Sequence, residues 1–356
     1  MAFRSAAGYT NLPNGNFSPV IYSQKVQKAF RKSSIAEAVT NNDYFGEISN
    51  FGDSVRIIKE PTISVSQYSR GTQITTQDIQ DDDFTLVVDQ AHYFAFKMDD
   101  IENAHSHVNF MDMATDNAAY RLRDQYDQEV LGYLSGYKQS ALHTSADTVN
   151  DVVNGTKADS TAGSDELLPA HKLDAEDFAN GQVVADGDTI ALRPRFPGQQ
   201  SQFTGAGEAS PLQVIARMAR KLDLANVDTS NRFIVVDPVF VELLKDEDSR
   251  VLNADFGGAG LQNGLILSNL HGFKVYLSNN LPSVGTGAGT TGGSNAANFG
   301  VVVAGHESAV ATAQQISKTE TYRDPDSFAD IVRGMNLYGR KILRPEALVS
   351  ARYNLA

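Results

Sequence analysis

Phe51-Gly52-Asp53-Ser54-Val55-Arg56-Ile57-Ile58-Lys59-Glu60 opens the stretch that decides the fold, and Asp89-Gln90-Ala91-His92-Tyr93-Phe94-Ala95-Phe96-Lys97-Met98-Asp99-Asp100-Ile101 closes it. Between them, Thr62-Ile63-Ser64-Val65-Ser66-Gln67-Tyr68 and Phe84-Thr85-Leu86-Val87-Val88 are β-branched and partly alternating, as strands are. Ser69-Arg70-Gly71 reads as a turn, and Asp81-Asp82-Asp83 as a solvated tip. A return leg of ~13 residues at ~3.3 Å each would reach roughly 40 Å. A two-stranded ribbon of that length has two open edges and little core of its own, so it is marginal alone. The pattern predicts an arm that another molecule completes.

From Asp99 the period changes. Ile101, Ala104, Val108, Met111, Thr115, Ala118, Leu122, Tyr126, Val130 and Leu134 recur at threes and fours, one stripe of an amphipathic helix. Glu102, Asp112, Asp116, Arg123, Asp127 and Glu129 are expected on its solvent face. Unbroken, the helix would be ~50 Å long at ~1.5 Å per residue. Asn109, Asp112, Asp116 and Asn117 weaken its first half, where a kink or frayed turn fits. Periodicity alone fits a core helix of an ordinary globular domain equally well.

The chain has 356 residues, 41% of them hydrophobic and 21% charged, a globular composition with enough length for a sizeable core. Its formal net charge of -13 opposes tight wrapping of nucleic acid, which needs clustered Lys and Arg. A wall around nucleic acid remains compatible with that charge. Without cysteine, neither disulfides nor thiolate metal sites contribute. No apolar signal core or ~20-residue apolar run occurs, so a soluble protein made in a cytoplasm, with no membrane partner, is expected.

Residues 1–49 contain Gly8, Pro13, Gly15 and Pro19, which deny regular structure to the first twenty residues. Arg4, Lys25, Lys28, Arg31 and Lys32 face a single acid, Glu37, over residues 1–40. That charge suits either a solvated tail or an ordered arm laid on a neighbour. Residues 138–208 are rich in Ser, Thr, Asp, Asn and Gly and read as a surface insertion, with a small hairpin from Val183 to Leu192. Beyond it, Ser210-Pro211-Leu212-Gln213 is a helix start, with Leu212, Ile215, Ala216, Ala219 and Leu222 as the buried stripe. Buried strands are expected at 231–236, 273–278 and 299–304, and a last one near 347–352.

Signs of catalysis are weak. Gly287-x-Gly289-x-x-Gly292 lacks the preceding strand and following helix of a dinucleotide loop, and reads as a flexible connector. On a helix, His105 and His107 would point ~200° apart, with no third ligand in view. No nucleophile elbow, His-Glu-x-x-His or Walker-type lysine is present. No enzyme, cofactor or metal is expected.

The order of several motifs is the specific signal. Gly52 to Ile57 opens a ribbon that Asp89 to Ile101 closes into a long helix. Then follow Arg232-Phe233-Ile234-Val235-Val236-Asp237-Pro238, Gly272-Phe273-Lys274-Val275-Tyr276 with Ser278-Asn279-Asn280-Leu281-Pro282, and Tyr322-Arg323-Asp324-Pro325-Asp326-Ser327-Phe328 with Val332-Arg333-Gly334 and Leu337-Tyr338-Gly339. This order resembles the major capsid protein of tailed bacteriophages, with the Hong Kong 97 shell fold, over nearly the whole chain except 138–208.

The resemblance implies an α+β fold with an N-terminal arm (1–49), an extended β-hairpin loop (50–98) and a spine helix of the peripheral domain (99–137). The surface insertion (138–208), an axial α/β domain (209–312), peripheral-domain strands (313–344) and a C-terminal axial strand (345–356) would follow. It implies self-assembly into pentamers and hexamers of an icosahedral head in the virion, built in the host cytoplasm. Scaffolding and portal proteins, a cement or decoration protein, and non-specifically contacted double-stranded DNA would be the partners. Expected intersubunit contacts are the basic Arg4, Lys25, Lys28, Arg31 and Lys32 of the arm, and Arg56, Lys59, Arg70, Asp81, Asp82 and Asp83 of the loop. Exposed pairs contribute at most about 1 kcal/mol each, so apolar Phe84, Tyr93 and Phe94 are expected to dominate. Nothing in the sequence establishes the Lys–Asn cross-link of some relatives or a maturation cleavage site. An encapsulin-like compartment, an adhesin-like binding module and a hydrolase with an unrecognised site are the competing functions.

Overall fold

The computed structural model of the chain describes residues 34–43, 54–58, 63–71, 73, 76–77, 83–100, 110–136, 171–178, 189–193, 207–245, 270–282 and 300–355. The strand signal at the ribbon resolves into two separate structures. β1 (Ser54–Ile58) pairs antiparallel with β2 (Asp83–Val87), Ser54 opposite Val87 and Ile58 opposite Asp83. The return leg then leaves the ribbon. β3 (Gln90–Asp99) joins a three-stranded antiparallel sheet, beside β11 (Ala329–Ile342), which pairs in turn with β10 (Val310–Arg323). Among the described residues, the ladder of the expected ribbon is found at its root, and residues 63–69 carry no strand although their composition favours one. β propensity reports fit to a half-buried pleated surface, and these residues have no such surface under them. The Ser69–Gly71 turn is present, with Gly71 at φ 93.

One long helix, α2 (Phe110–Ser135, 26 residues), packs on the three-stranded sheet. Gly136 at φ 66 ends it in the left-handed conformation that glycine adopts most easily. Residues 101–109, where the sequence places the first turns, lie outside the described residues; at Asp112, Asp116 and Asn117, the rest of the expected weak stretch, the helix is continuous. A single turn, α1 (Ala36–Val39), rests beside α2.

The second sheet has seven strands, in the order β6-β5-β12-β9-β7-β8, with β4 also pairing β12. Its core is β7 (Arg232–Val236), β9 (Gly300–His306) and β12 (Leu348–Leu355), with β8 (Lys274–Leu277) at one edge. Because β strands alternate faces, Phe233 and Val235 reach the α2 side while Ile234 and Val236 reach the opposite side. There α3 (Pro211–Leu224) and α4 (Pro238–Lys245) cover the sheet. Ser210 and Gln213 close a reciprocal capping box at the start of α3, as the sequence predicts. The buried stripe of α3 is Val214, Ile215, Met218 and Leu222, whereas Ala216 faces solvent.

The segment read as a surface insertion contributes interior strands. β4 (Lys172–Leu173) and β5 (Ile190–Leu192) both run parallel to β12, and β6 (Glu208–Ala209) runs parallel to β5. Leu173, Phe178, Ile190 and Leu192 are buried in the core under α3. Ile190–Leu192 is thus no half of a local hairpin, because its ladder partners are β12 and β6. Strands of two or three residues are too short to show a period, and their partner lies at the far end of the chain.

The root of the ribbon is clamped to the three-stranded sheet. Leu86 and Val88 are buried against Ala311 and Ala313. A Cβ on Gly339 would lie 2.3 Å from the Val87 carbonyl oxygen, a backbone atom that cannot swing away. A Cβ on Gly334 would meet the Phe94 ring at 2.4 Å, where a side chain can rotate. Gly339→Ala is therefore expected to cost about 1–3 kcal/mol and Gly334→Ala less. Equal losses of unfolding free energy in urea would contradict this account.

Candidate interaction surfaces

β3 decides which faces are free. Its residues alternate half-buried and exposed from Gln90 to Asp99. His92, Phe94 and Phe96 turn toward α2, and Phe94 stacks on Phe96 with ring centroids 6.2 Å apart. Tyr93 turns the other way and is 80% exposed, opposite Met335 of β11. Tyr93 and Phe94, expected together as intersubunit contacts, therefore lie on opposite faces, Tyr93 outward and Phe94 half-buried toward α2. Neighbours on a strand face opposite sides, so Phe94 serves the subunit's own sheet–helix layer.

The other expected contact residues separate as follows. Arg56 lies in β1 opposite Thr85, and Arg70 sits exposed in the Ser69–Gly71 turn. Asp83 and Phe84 belong to the backbone ladder of β2, facing Ile58 and Ile57. Arg4, Lys25, Lys28, Arg31, Lys32, Lys59, Asp81 and Asp82 lie outside the described residues. The largest apolar exposures on the ribbon fall on Ile58, Ile63, Val65 and Tyr68, the last three in the stretch without a strand partner. Val65 is 97% exposed.

Charge at the far end of the three-stranded sheet is paired within the subunit. Lys97 Nζ lies 2.5 Å from Asp324 Oδ2, and Arg323 Nη2 2.5 Å from Asp100 Oδ2. Arg333 bonds Glu320 and stacks over the Tyr322 ring at 4.9 Å. The Lys97 ammonium, the Ser327 hydroxyl and the Asp326 amide together hold the Asp324 carboxyl at about 2. Phe328, in the same turn, is 79% exposed.

The solvent face predicted for α2 contains two residues that are internal. Asp127 is fully buried. Its Oδ1 accepts from the amides of Ile35 (2.8 Å) and Ala36 (2.7 Å) and from Ser34 Oγ (3.1 Å). Its Oδ2 accepts from Asn280 Nδ2 at 2.8 Å. Glu129 receives Arg340 Nη1 at 3.2 Å and the Tyr338 hydroxyl at 3.3 Å, and His92 Nε2 lies 3.3 Å away. Burial and then the Glu129 charge push the Tyr338 phenol well above its ordinary range. A charged residue on a helix is normally assigned to water, and only the tertiary partners reverse that. The one sequence signal was Asn280, inside the Ser278–Pro282 motif.

Among the described residues, no group of three His, Asp or Glu side chains is placed to hold a metal ion, and no helix is long and apolar enough to cross a membrane. No protein-family model and no curated protein matches the sequence. Solved structures do. A structure from Mycobacterium phage Che8 aligns with a TM-score of 0.65 at 23% identity, covering 95% of this chain and 97% of that one. The capsid of cyanophage P-SCSP1u gives 0.62 at 19% identity over 100% of both chains. The mature capsid of bacteriophage PhiM1 gives 0.59 at 16% identity, covering 95% and 92%. The chain has the α+β fold of these phage capsid subunits.

The Asp324 cluster sets a pH dependence with a definite sign. Its carboxyl titrates at about 2 in the folded chain, below the unfolded value near 3.8. The stabilisation is therefore complete above the unfolded value and is lost as pH falls through the folded one. Thermal melts from pH 6 to pH 2 should show a steeper acid loss for the native chain than for Asp324→Asn. Parallel acid limbs would remove Asp324 from the acid response.

Proposed function

We propose that the chain is the major capsid subunit of a tailed phage, assembling with copies of itself into an icosahedral head around double-stranded DNA. One observation carries this reading. The ribbon is anchored at its root by fully buried Leu86, yet Ile58, Ile63, Val65 and Tyr68 beyond the root are 79%, 69%, 97% and 64% exposed. Apolar side chains held out on a projecting limb mark a surface meant to be covered. The likeness to phage capsid structures supplies the partner, a second copy of the same chain.

Interfaces of ~1,600 Å² suffice for specific association, and a shell subunit makes several of them. Ordering a projecting loop costs entropy at each contact, so area does not convert directly into affinity. Individually weak contacts let misplaced subunits leave before the shell closes. The acidic chain would contact DNA non-specifically, as a wall rather than a wrap. Scaffolding and portal proteins, assembly in the host cytoplasm and residence in the virion belong to the same proposal. So do the arm and loop charges from Arg4 to Asp83 as intersubunit pairs, a cement partner, and the arm, loop, spine, peripheral and axial divisions of the chain.

Purified chain, alone or with scaffold, is expected to close into particles of uniform diameter under negative-stain microscopy. Native particles should contain nuclease-protected DNA, which an enzyme-storing compartment would lack. Ile63→Ser with Val65→Asp should leave subunit stability within about 0.5 kcal/mol, as for other exposed sites, and lower particle yield at least tenfold. A lone monomer under every condition, with the ribbon folded on its own subunit, would overturn the proposal.

A further inference from the structure

The turn Ala36–Val39 cannot stand by itself. An isolated helix of four residues is far below the length at which propagation repays nucleation. Its N-cap residue is Ile35, which has no side chain able to cap it. The missing acceptor comes instead from Asp127, 92 positions away from Ile35 along the chain, which takes the Ile35 and Ala36 amides on one oxygen. A second tie lies just downstream. Asn41 N donates to the Val310 carbonyl at 2.8 Å and Thr312 N to the Asn41 carbonyl at 3.0 Å, in a parallel bridge to β10.

The other oxygen of Asp127 is held by Asn280, which is 1% exposed and follows β8 of the seven-stranded sheet. The backbone N–H of Asn280 donates to Ser278 Oγ at 3.1 Å, holding the main chain at that position. The carboxylate thus faces the N-terminal segment with one edge and the second sheet with the other. Burying a carboxylate costs several kcal/mol before its bonds are counted, and an apolar side chain of like volume often packs as well. The group is better explained by the direction it imposes than by the stability it adds.

We infer that Asp127 and Asn280 form a lock that fixes the exit direction of the N-terminal segment at Ser34 only once the seven-stranded sheet is seated against the long helix, so that completion of the subunit is coupled to its competence to assemble. The assembly half of this inference rests on the capsid proposal; the coupling half does not. Asn280 is a positioning residue: it acts through Asp127, orienting the carboxylate that holds the Ile35 and Ala36 amides.

Hydrogen exchange on the full-length chain tests the coupling. Asn280→Ala is expected to speed exchange of the 34–40 backbone at least tenfold while β9 and β12 keep their native protection. At a temperature where the variant's circular dichroism is native, its yield of closed particles should fall at least fivefold. Asp127→Ala removes the acceptor for both amides and should lose the same protection. Asn280→Ser replaces Asn280→Ala should the latter fail to fold. Unchanged exchange at 34–40, or faster exchange with native particle yield, overturns the lock. If the native chain makes no particles, the capsid proposal fails, and the exchange comparison still decides the coupling.

Discussion

The C-terminal half of α2 is wedged between two sheets, and the rest of the molecule hangs on that shared burial. Val130, Leu131 and Leu134 are fully buried among Phe233, Val235, Val301 and Val303 of one sheet and Tyr338 and Ile342 of the other. Each such side chain contributes about 1.5–3 kcal/mol, so these few residues outweigh the exposed ion pairs nearby. Polar contacts then fix the register. Arg340 reaches both the carboxylate and the backbone carbonyl of Glu129, and Tyr126 meets Tyr338 edge to face with centroids 4.8 Å apart.

The same wedge divides the faces of the three-stranded sheet. The inner face is spent on the helix, through Phe94, Phe96 and Tyr338. Among the described residues, the outer face is covered at one end, where Leu86 and Val88 of the ribbon root meet Ala311 and Ala313. Beyond that end, Tyr93 and Met335 stand opposite one another and exposed. A rigid, well-packed base with a bare limb and a bare face suits a protein whose remaining contacts are made by other molecules.

Much of this was legible in the sequence where the pattern was local and long. The strand at Arg232–Val236 is buried throughout because both of its faces meet helices, and its unbroken apolar run says so. The capping box at Ser210 and the Tyr126–Val130–Leu134 stripe were equally plain. What failed was non-local. Ile190–Leu192 is too short to announce a parallel partner at Tyr353–Leu355, and a turn signal beside it suggested a hairpin instead. Asp127 looked solvated because nothing local shows that Ile35, Ala36 and Asn280 converge on it. Tyr93 and Phe94 looked alike in composition, and only the sheet's phase separated them. Residues 63–68 had the right residue types but lie exposed, with no described surface beneath them.

β12 sits in the middle of the seven-stranded sheet, flanked by β9 on one side and by β4 and β5 on the other. The ribosome makes it after all of them. Until Leu348 to Leu355 clear the exit tunnel, β4 lacks its ladder partner, β5 has β6 on one side and nothing on the other, and β9 keeps an open flank. A nascent chain therefore exposes the ribbon root before the sheet can close, and the two events are separated by the time needed to translate from β2 to β12. The strand made after every partner it joins is thus the keystone of the sheet.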